Sequence, residues 1–491
     1  MRKALVVAAL VAAAVIVTWQ VARRPARDPS SVVRATILQV NDVYEVMPVG
    51  GDLGGLARVA TLRKQLAAEN PNTYMVLAGD VFSPSALGTA KAGPGGTALN
   101  GRQMVDVMNL AGLNYATFGN HEFDLSPTEF EQRLKESSFR WVSSNVHAAD
   151  GTPFMNVAPN LVITAANPSG RQLRIGLFGL TIDSNTAKWV GYDKPVETAR
   201  RQFESLKGNS DAVVALTHLE FDEDEAVAQA LPGLSMIIGG HEHLNVLARR
   251  GGGTVPIAKA DANAKSVYIH RLRYDTGTRK LSIDSEWKAI NADIPDDPGV
   301  KAVVDRWRDA AFTAFRADGF DPPKQVTVLP VPLDGREETT RTGSTNLTDL
   351  ISSAMLEAFP HTDAAIFNSG SIRIDDQLPA APLTQYDVLR ILPYPGDIMV
   401  ARVSGAMLAR IISVGHDAAH TGSGAYLQVG GLGSATPDPK RSYRVVMNDF
   451  LLSGKETGLD FVGQRGPAIQ IEPDLPKELR HVVIERLARG L

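Results

Sequence analysis

The chain has 491 residues, 44% hydrophobic and 21% charged, with a formal net charge of −4 and no cysteine. That length fills two or three domains, each able to bury its own core, and the near-neutral balance argues against a protein that coats a nucleic-acid polymer, which needs a basic face. Without thiols, a thiolate zinc site, a cysteine nucleophile and a disulfide framework are excluded, so any metal must be held by oxygen and nitrogen donors.

Arg2 and Lys3 precede an unbroken apolar stretch, ALVVAALVAAAVIVTWQVA (residues 4–22), which ends at Arg23 and Arg24. A charged start and an apolar run read as a secretory signal, and at ~1.5 Å per residue the run also spans ~30 Å of hydrocarbon. Residues 1–27 are therefore expected to be a signal peptide or an N-terminal membrane anchor. Trp19 and Gln20 stand where small residues would mark a cleavage site, which keeps the anchor reading open. Either way the remainder is expected to be exported, periplasmic or on the outer face of the membrane, and to meet lipid only through this segment.

From Thr36 the chain alternates strand-like and helix-like segments. TILQV reads as a strand and GLARVATLRKQLAAEN as an amphipathic helix. YMVLAG is a buried strand, and NGRQMVDVMNLAG a helix stopped by glycine. Between them, ALGTAKAGPGGTALNG (residues 86–101) is expected to be a surface loop; lacking a GK[ST] ending, it is not a phosphate cradle. YATFG, RWVSSNV, LRIGLFGLT, DAVVALTH and LSMIIGGH follow as further strands, a β-α-β rhythm that predicts a layered α/β domain to about residue 290. DIPDDP (293–298) is turn chemistry, and the helix that follows it, stopped by Gly319, is a candidate linker. A second α/β unit with strands QVTVLP, AAIFN, IMVARV and YRVVM runs from residue 325 to the end.

Polar residues recur where these strands stop. Asp42 follows ILQVN, Asp80 follows MVLAG, Asn120 follows YATFG, His218 follows VVALT, and His241 and His243 follow SMIIGG. One aspartate after a strand is an ordinary helix cap or turn residue, but five strand ends of one kind point to a site at the carboxyl edge of a sheet. Imidazole, carboxylate and amide oxygen suit a pair of borderline divalent ions. Alternation along an extended segment would aim His241 and His243 one way and Glu242 the other.

NDVY (41–44), GDVFSPS (79–85), GNHEFD (119–124), TH (217–218) and GHEH (240–243) resemble, in order and spacing, the motifs of the calcineurin-like metallophosphoesterases. The likeness is nearest to the bacterial 5′-nucleotidase and UDP-sugar hydrolase group. It implies an N-terminal four-layer α/β/β/α sandwich over residues 34–292, a linker helix over 293–324 and a C-terminal α/β nucleotide-binding domain over 325–491. Two divalent or mixed-valence ions (manganese, zinc, cobalt or iron) are implied, with Asp80 bridging, Asp42 and His243 on the first, and Asn120, His218 and His241 on the second. His121 resembles the catalytic imidazole facing the scissile phosphate, oriented by Asp124, while Glu122 is expected to face outward or to make a contact behind the ligands. Where the family has Asp-x-His this chain has Asp42-Val43-Tyr44, so Tyr44 stands beside the first ion, as a ligand if ionised or as a neutral donor.

Residues 366–397 resemble the family's nucleotide-binding segment. The likeness carries Arg373, Arg336 and Arg341 over as oxyanion-pairing arginines, and Tyr394 and Phe450 as a base-stacking pair. Glu456 occupies the place of the family's usual aspartate, Asp397 stands near a usual asparagine, and Pro395 is an insertion. The implied activity is phosphate release from nucleoside 5′-monophosphates, with nucleotide sugars or 2′,3′-cyclic nucleotides as further substrates, by in-line attack of a hydroxide generated between two metals. The implied partner is the nucleotide substrate, and a monomer is taken as the default. The competing readings are a non-catalytic nucleotide-binding surface protein on a decayed scaffold and a hydrolase of another oxyanion ester, such as a sulfur-linked one.

Overall fold

Strand segments such as MVLAG and VVALT are apolar on both faces because both faces are covered. In the computed structural model, which describes residues 29–490 apart from 186, 252, 434 and 465, two sheets lie face to face. The N-terminal segment expected to be a signal or anchor lies outside the described residues. The first sheet has seven strands in the order Lys280–Ala289, Ser266–Asp275, Val32–Val40, Thr73–Ala78, Tyr115–Thr117, Arg140–Val142 and Val157–Ala158. Val32–Val40 pairs parallel with Thr73–Ala78, and that strand parallel with Tyr115–Thr117, so these carboxyl ends share one edge.

The second sheet has six strands, ordered Val246–Arg250, Val255–Lys259, Met236–Gly239, Ala212–His218, Gln172–Thr181 and Asn160–Ala166. Ile37, Val76 and Ala78 of the first sheet share a core with Leu177, Val214, Leu216 and Ile238 of the second. Helices Leu56–Glu69 and Arg102–Ala111 cover the outside of one sheet, and Pro195–Leu206 and Phe221–Ala230 the outside of the other, giving four layers. Both sheets thus end their parallel strands at one rim, where loop residues from each can meet.

Two local expectations need correction. RWVSSNV is not one strand but two, Arg140–Val142 and Val146–Ala148. The break occurs because Asn145 turns its amide onto Thr181, accepting from its N–H at 2.9 Å and donating to its carbonyl at 2.7 Å. The stretch 86–101 is only partly a surface loop: Ala86–Thr89 is a helical turn capped by Ser85, and Leu87, Ala90 and Leu99 are buried.

The helix Pro298–Ala317 starts at Asp297, whose carboxylate accepts the Val300 N–H. It buries Val300, Val304, Ala311 and Phe315, and Trp307 Nε1 donates to Asp106 of the helix Arg102–Ala111 at 2.9 Å. It therefore lies along the first domain. Beyond it, a mixed sheet runs Leu427–Gly430, Ala364–Asn368, Ser442–Asn448, Asp397–Ser404 and Ile469–Ile471. The domains share apolar packing, since one continuous core cluster holds Val43 and Val46 of the first with Ile372, Leu389 and Ile391 of the second.

Candidate metal centre and substrate cleft

Asp42, Asp80 and His218, from the ends of three strands in two sheets, come together with ligand-type atoms within 4.8 Å of one another, all buried. His218 Nε2 lies 3.3 Å from Asp80 Oδ2, 3.8 Å from Asp42 Oδ1 and 3.2 Å from Asn120 Oδ1. Its Nδ1 is 2.9 Å from the Ala78 carbonyl, to which it can only donate. In the neutral ring that bond selects the tautomer whose Nε2 lone pair faces the carboxylates.

Each aspartate has one oxygen pinned and one presented. Asp42 Oδ2 accepts the His241 N–H at 3.0 Å and the Asn41 amide at 2.7 Å, and Asp80 Oδ1 accepts the His121 N–H at 2.9 Å. Asp42 Oδ1 and Asp80 Oδ2 are left facing the histidines and Tyr44. The backbone is bent to do this: φ is 52° at Asp42, 57° at Asp80, 95° at His241 and 60° at His243. Non-glycine residues hold such values at a cost of ~1–3 kcal/mol each, which a functional rim commonly carries. The glycines beside them serve closeness. A Cβ on Gly119 would sit 2.0 Å from Asp80 Oδ1, and one on Gly79 would sit 2.4 Å from His218 Nδ1.

His241 and His243 therefore do not lie on an extended strand, and the alternation argument fails there. Glu242 still turns away, onto the buried Lys259 ammonium at 2.8 Å, while His243 Nε2 faces Asp42 Oδ1 at 3.4 Å. His241 Nε2 meets Glu220 Oε1 at 3.2 Å, which leaves Nδ1 as its other ring donor atom.

Electrostatically the cluster demands positive charge. Burial works against a charged His218, but Asp80 and Asp42 outweigh it and lift the imidazole to about 9. Burial likewise opposes ionisation of Asp42 and Asp80, and the neighbouring histidines hold both below the usual carboxylate range. Two ionised carboxylates, an amide oxygen and correctly tautomerised imidazoles, with no sulfur, fit a divalent cation. Tyr44 Oη sits among them, 2.8 Å from Asp80 Oδ2 and 2.9 Å from His243 Nε2. Burial and the two aspartates push its phenol well above the ordinary value, so in this arrangement it is a neutral donor to Asp80.

His121 lies beside the cluster, its Nδ1 2.8 Å from Asp124 Oδ2. Burial lowers its affinity for a proton, but Asp124 and Asp80 override that and raise it to about 9. Two residues absent from the sequence-derived set complete this pair. Ser83 Oγ donates to Asp124 Oδ2 at 3.0 Å, and Asn185 Nδ2 reaches both Asp124 Oδ1 at 2.9 Å and the Asn120 carbonyl at 2.7 Å. Glu122 does not face outward. It is fully buried, and its carboxylate accepts the N–H groups of Gly119, Asp80, Val81 and Phe82.

A cleft of about 740 Å³ in the second domain opens next to this pair. Arg373, Tyr394, Phe450 and Glu456 line it together with Asn368 and Asn448. Tyr394 and Phe450 are 44% and 41% exposed, so neither is a core aromatic. Tyr394 Oη is 3.3 Å from Ser83 Oγ, and the Arg373 guanidinium lies 5.8 Å from the Tyr394 ring centre. Glu456 Oε2 accepts the Asn368 amide at 2.7 Å. Arg336 and Arg341 are not among the residues lining the cleft. Asp334 and Glu338 engage the guanidinium of Arg336, and Glu337 that of Arg341.

Family models match in two places: the calcineurin-like phosphoesterase model over residues 35–245 and the 5′-nucleotidase C-terminal domain model over residues 325–436. The human 5′-nucleotidase is 24% identical over 444 residues, which cover 81% of this chain and 74% of that protein. A 5′-nucleotidase precursor from Thermus thermophilus superposes with a TM-score of 0.72 at 23% identity, covering 93% of this chain and 96% of that one. The sulfate thiohydrolase SoxB of the same organism superposes at 0.65 with 15% identity, over 93% and 94%, so the fold alone is shared with it. With two matched domains and a relative aligned across both, the chain belongs to the calcineurin-like phosphoesterases of the 5′-nucleotidase type, metal-dependent hydrolases of phosphoric esters.

Proposed function

We propose that the protein releases phosphate from nucleoside 5′-monophosphates, with nucleotide sugars and 2′,3′-cyclic nucleotides as further substrates, and that it works as an exported monomer. The observation that carries this reading is the adjacency of the aromatic cleft to the buried cluster, through Tyr394 Oη and Ser83 Oγ at 3.3 Å. Asp42, Asp80, Asn120, His218, His241 and His243 would hold two ions, manganese, zinc, cobalt or iron, with Tyr44 beside the first. When bound, such ions supply Lewis acidity at the phosphate and lower the pKa of water.

The chain's own groups do the rest. His121, paired through Nδ1 with Asp124, offers its other ring nitrogen to charge building on a phosphoryl oxygen. Asp124, itself fixed by Ser83 and Asn185, keeps that ring in one orientation. Arg373 faces the same pair and suits an anionic phosphate ester. Tyr394 and Phe450 would take a base between them, and Glu456 and Asn368, hydrogen-bonded to each other in the same cleft, would lie against the sugar. The paired exposed aromatics favour a nucleotide over a base-free oxyanion ester, a point on which the shared fold with a sulfate thiohydrolase is silent.

Phosphate release from AMP, UDP-glucose, 2′,3′-cyclic AMP and bis(p-nitrophenyl) phosphate, each with added manganese, zinc, cobalt or iron, tests the assignment. Turnover of AMP is expected, and His121→Asn should lower kcat by ~10²–10⁴-fold with metal content unchanged. Nucleotide binding without turnover under every condition would mean a binding protein on a decayed scaffold.

A further inference from the structure

The carboxylate that pins His243 does not come from the domain that carries the histidine. Asp375 belongs to the segment after Arg373, in the second domain, and its Oδ2 lies 2.7 Å from His243 Nδ1. Its Oδ1 accepts the Glu337 N–H at 2.6 Å, so the carboxylate is held from its own side. His243 Nε2 is thereby directed to Tyr44 Oη at 2.9 Å and Asp42 Oδ1 at 3.4 Å. The other two histidines are restrained within the first domain, His218 by the Ala78 carbonyl and His241 by Glu220. A metal-binding histidine is held by a partner on its second ring nitrogen, and loss of that partner typically costs ~10–100-fold in metal affinity.

We propose that Asp375 is a positioning residue for the metal centre, supplied across the domain boundary. It sets the tautomer and ring orientation of His243, so one of the two cation positions reaches full affinity only while the second domain is docked as it is here. The proposal rests on the dimetal reading above. It makes the substrate-binding domain part of the metal site's support without being one of its ligands.

The neighbouring residue supplies the control. Asp376 pairs with Lys265 at 2.7 Å across the same boundary but touches none of the candidate ligands. Asp375 has φ of 38°, a conformation that asparagine tolerates. Asp375→Asn therefore keeps the backbone and an acceptor for Glu337 while removing the negative charge.

Chelator-stripped full-length protein is titrated with Mn²⁺ by calorimetry, and separately with Co²⁺ by absorption. The parent should take up two equivalents. Asp375→Asn should weaken one of them by about tenfold or more, leave the other unchanged and alter the Co²⁺ spectrum. Asp376→Asn should leave both within about twofold, as expected of an ion pair that serves docking alone. Asp375→Ser, which can still accept from Glu337, gives a second route to the same readout should the asparagine variant not fold. Unchanged isotherms in the Asp375 variants, or an equal loss in Asp376→Asn, overturn the proposal alone. A parent that binds fewer than two equivalents overturns the dimetal reading and this proposal with it.

Discussion

Replacing Glu122 by glutamine changes one atom and should undo two loops. Oε2 accepts Gly119 N–H at 2.5 Å and Asp80 N–H at 3.0 Å, while Oε1 accepts Val81 N–H at 2.6 Å and Phe82 N–H at 3.2 Å. A carboxylate can accept on both sides, whereas an amide must aim its NH₂ at one pair of donors. Two buried N–H groups then lose their acceptor, at ~1–3 kcal/mol each, or roughly 2–6 kcal/mol together. At ~2–4 °C per kcal/mol for a domain of ~150–250 residues, a mid-range loss of ~4 kcal/mol lowers the melting temperature by roughly 8–16 °C. Because the freed amides flank Asp80 and Asn120, metal retention should fall as well. Scanning calorimetry and elemental analysis after dialysis read both effects. A variant that melts within ~2 °C of the parent and keeps its metal would refute the argument that this carboxylate sets both loops.

Further expectations follow from other contacts. Tyr394→Ala or Phe450→Ala should raise KM for AMP by about 5- to 150-fold, the worth of ~1–3 kcal/mol of stacking, while Tyr394→Phe should change it little; steady-state kinetics decide, and an unchanged KM in both alanine variants removes the base platform. Tyr44→Phe should remove no visible band from iron-loaded protein, because the Tyr44 hydroxyl lies 2.8 Å from Asp80 Oδ2 and serves as a donor to it; a charge-transfer absorption in the parent that vanishes in the variant would show ligation instead. Buried His270 bonds to Gln39 and Ser285, and burial pulls it down to about 3, so it folds neutral. The unfolded chain takes up that proton below pH ~6.5, so this contribution to stability is lost as pH falls from there, at up to ~1.4 kcal/mol per unit. Urea melts at pH 7 and pH 5 should show a smaller acid loss in His270→Gln than in the parent, and identical losses would sink that account.

The fold and the rim were readable where local chemistry spoke plainly. MVLAG then Asp80, and VVALT then His218, announce buried strands that stop at donors. Other elements were hidden by their surroundings. Asn160–Ala166 alternates strictly in burial, but an outward-facing Val162 blurs the hydrophobic period that would have revealed it. The hairpin of Ser266–Asp275 and Lys280–Ala289 edges the first sheet, and neither strand carries an unbroken apolar run like MVLAG to mark it. Around the site, Asn185 stands in no motif, and Ser83 and Asp375 lie in motif stretches that do not single them out; their roles depend on contacts with residues 61, 41 and 132 positions away in the chain. Glu122 stood inside a motif, yet a carboxylate collecting four backbone amides is visible only once two loops are side by side.

The donors at the rim are divided between the two sheets. Asp42, Asp80 and Asn120 follow strands of one, while His218, His241 and His243 follow strands of the other. Neither half of the sandwich holds a complete set by itself. A cation gripped there acts as a rivet, and peeling the layers apart must first release it. Resistance to unmixing of the layers should therefore climb with the logarithm of free metal concentration, as for any ligand that only the assembled state can hold.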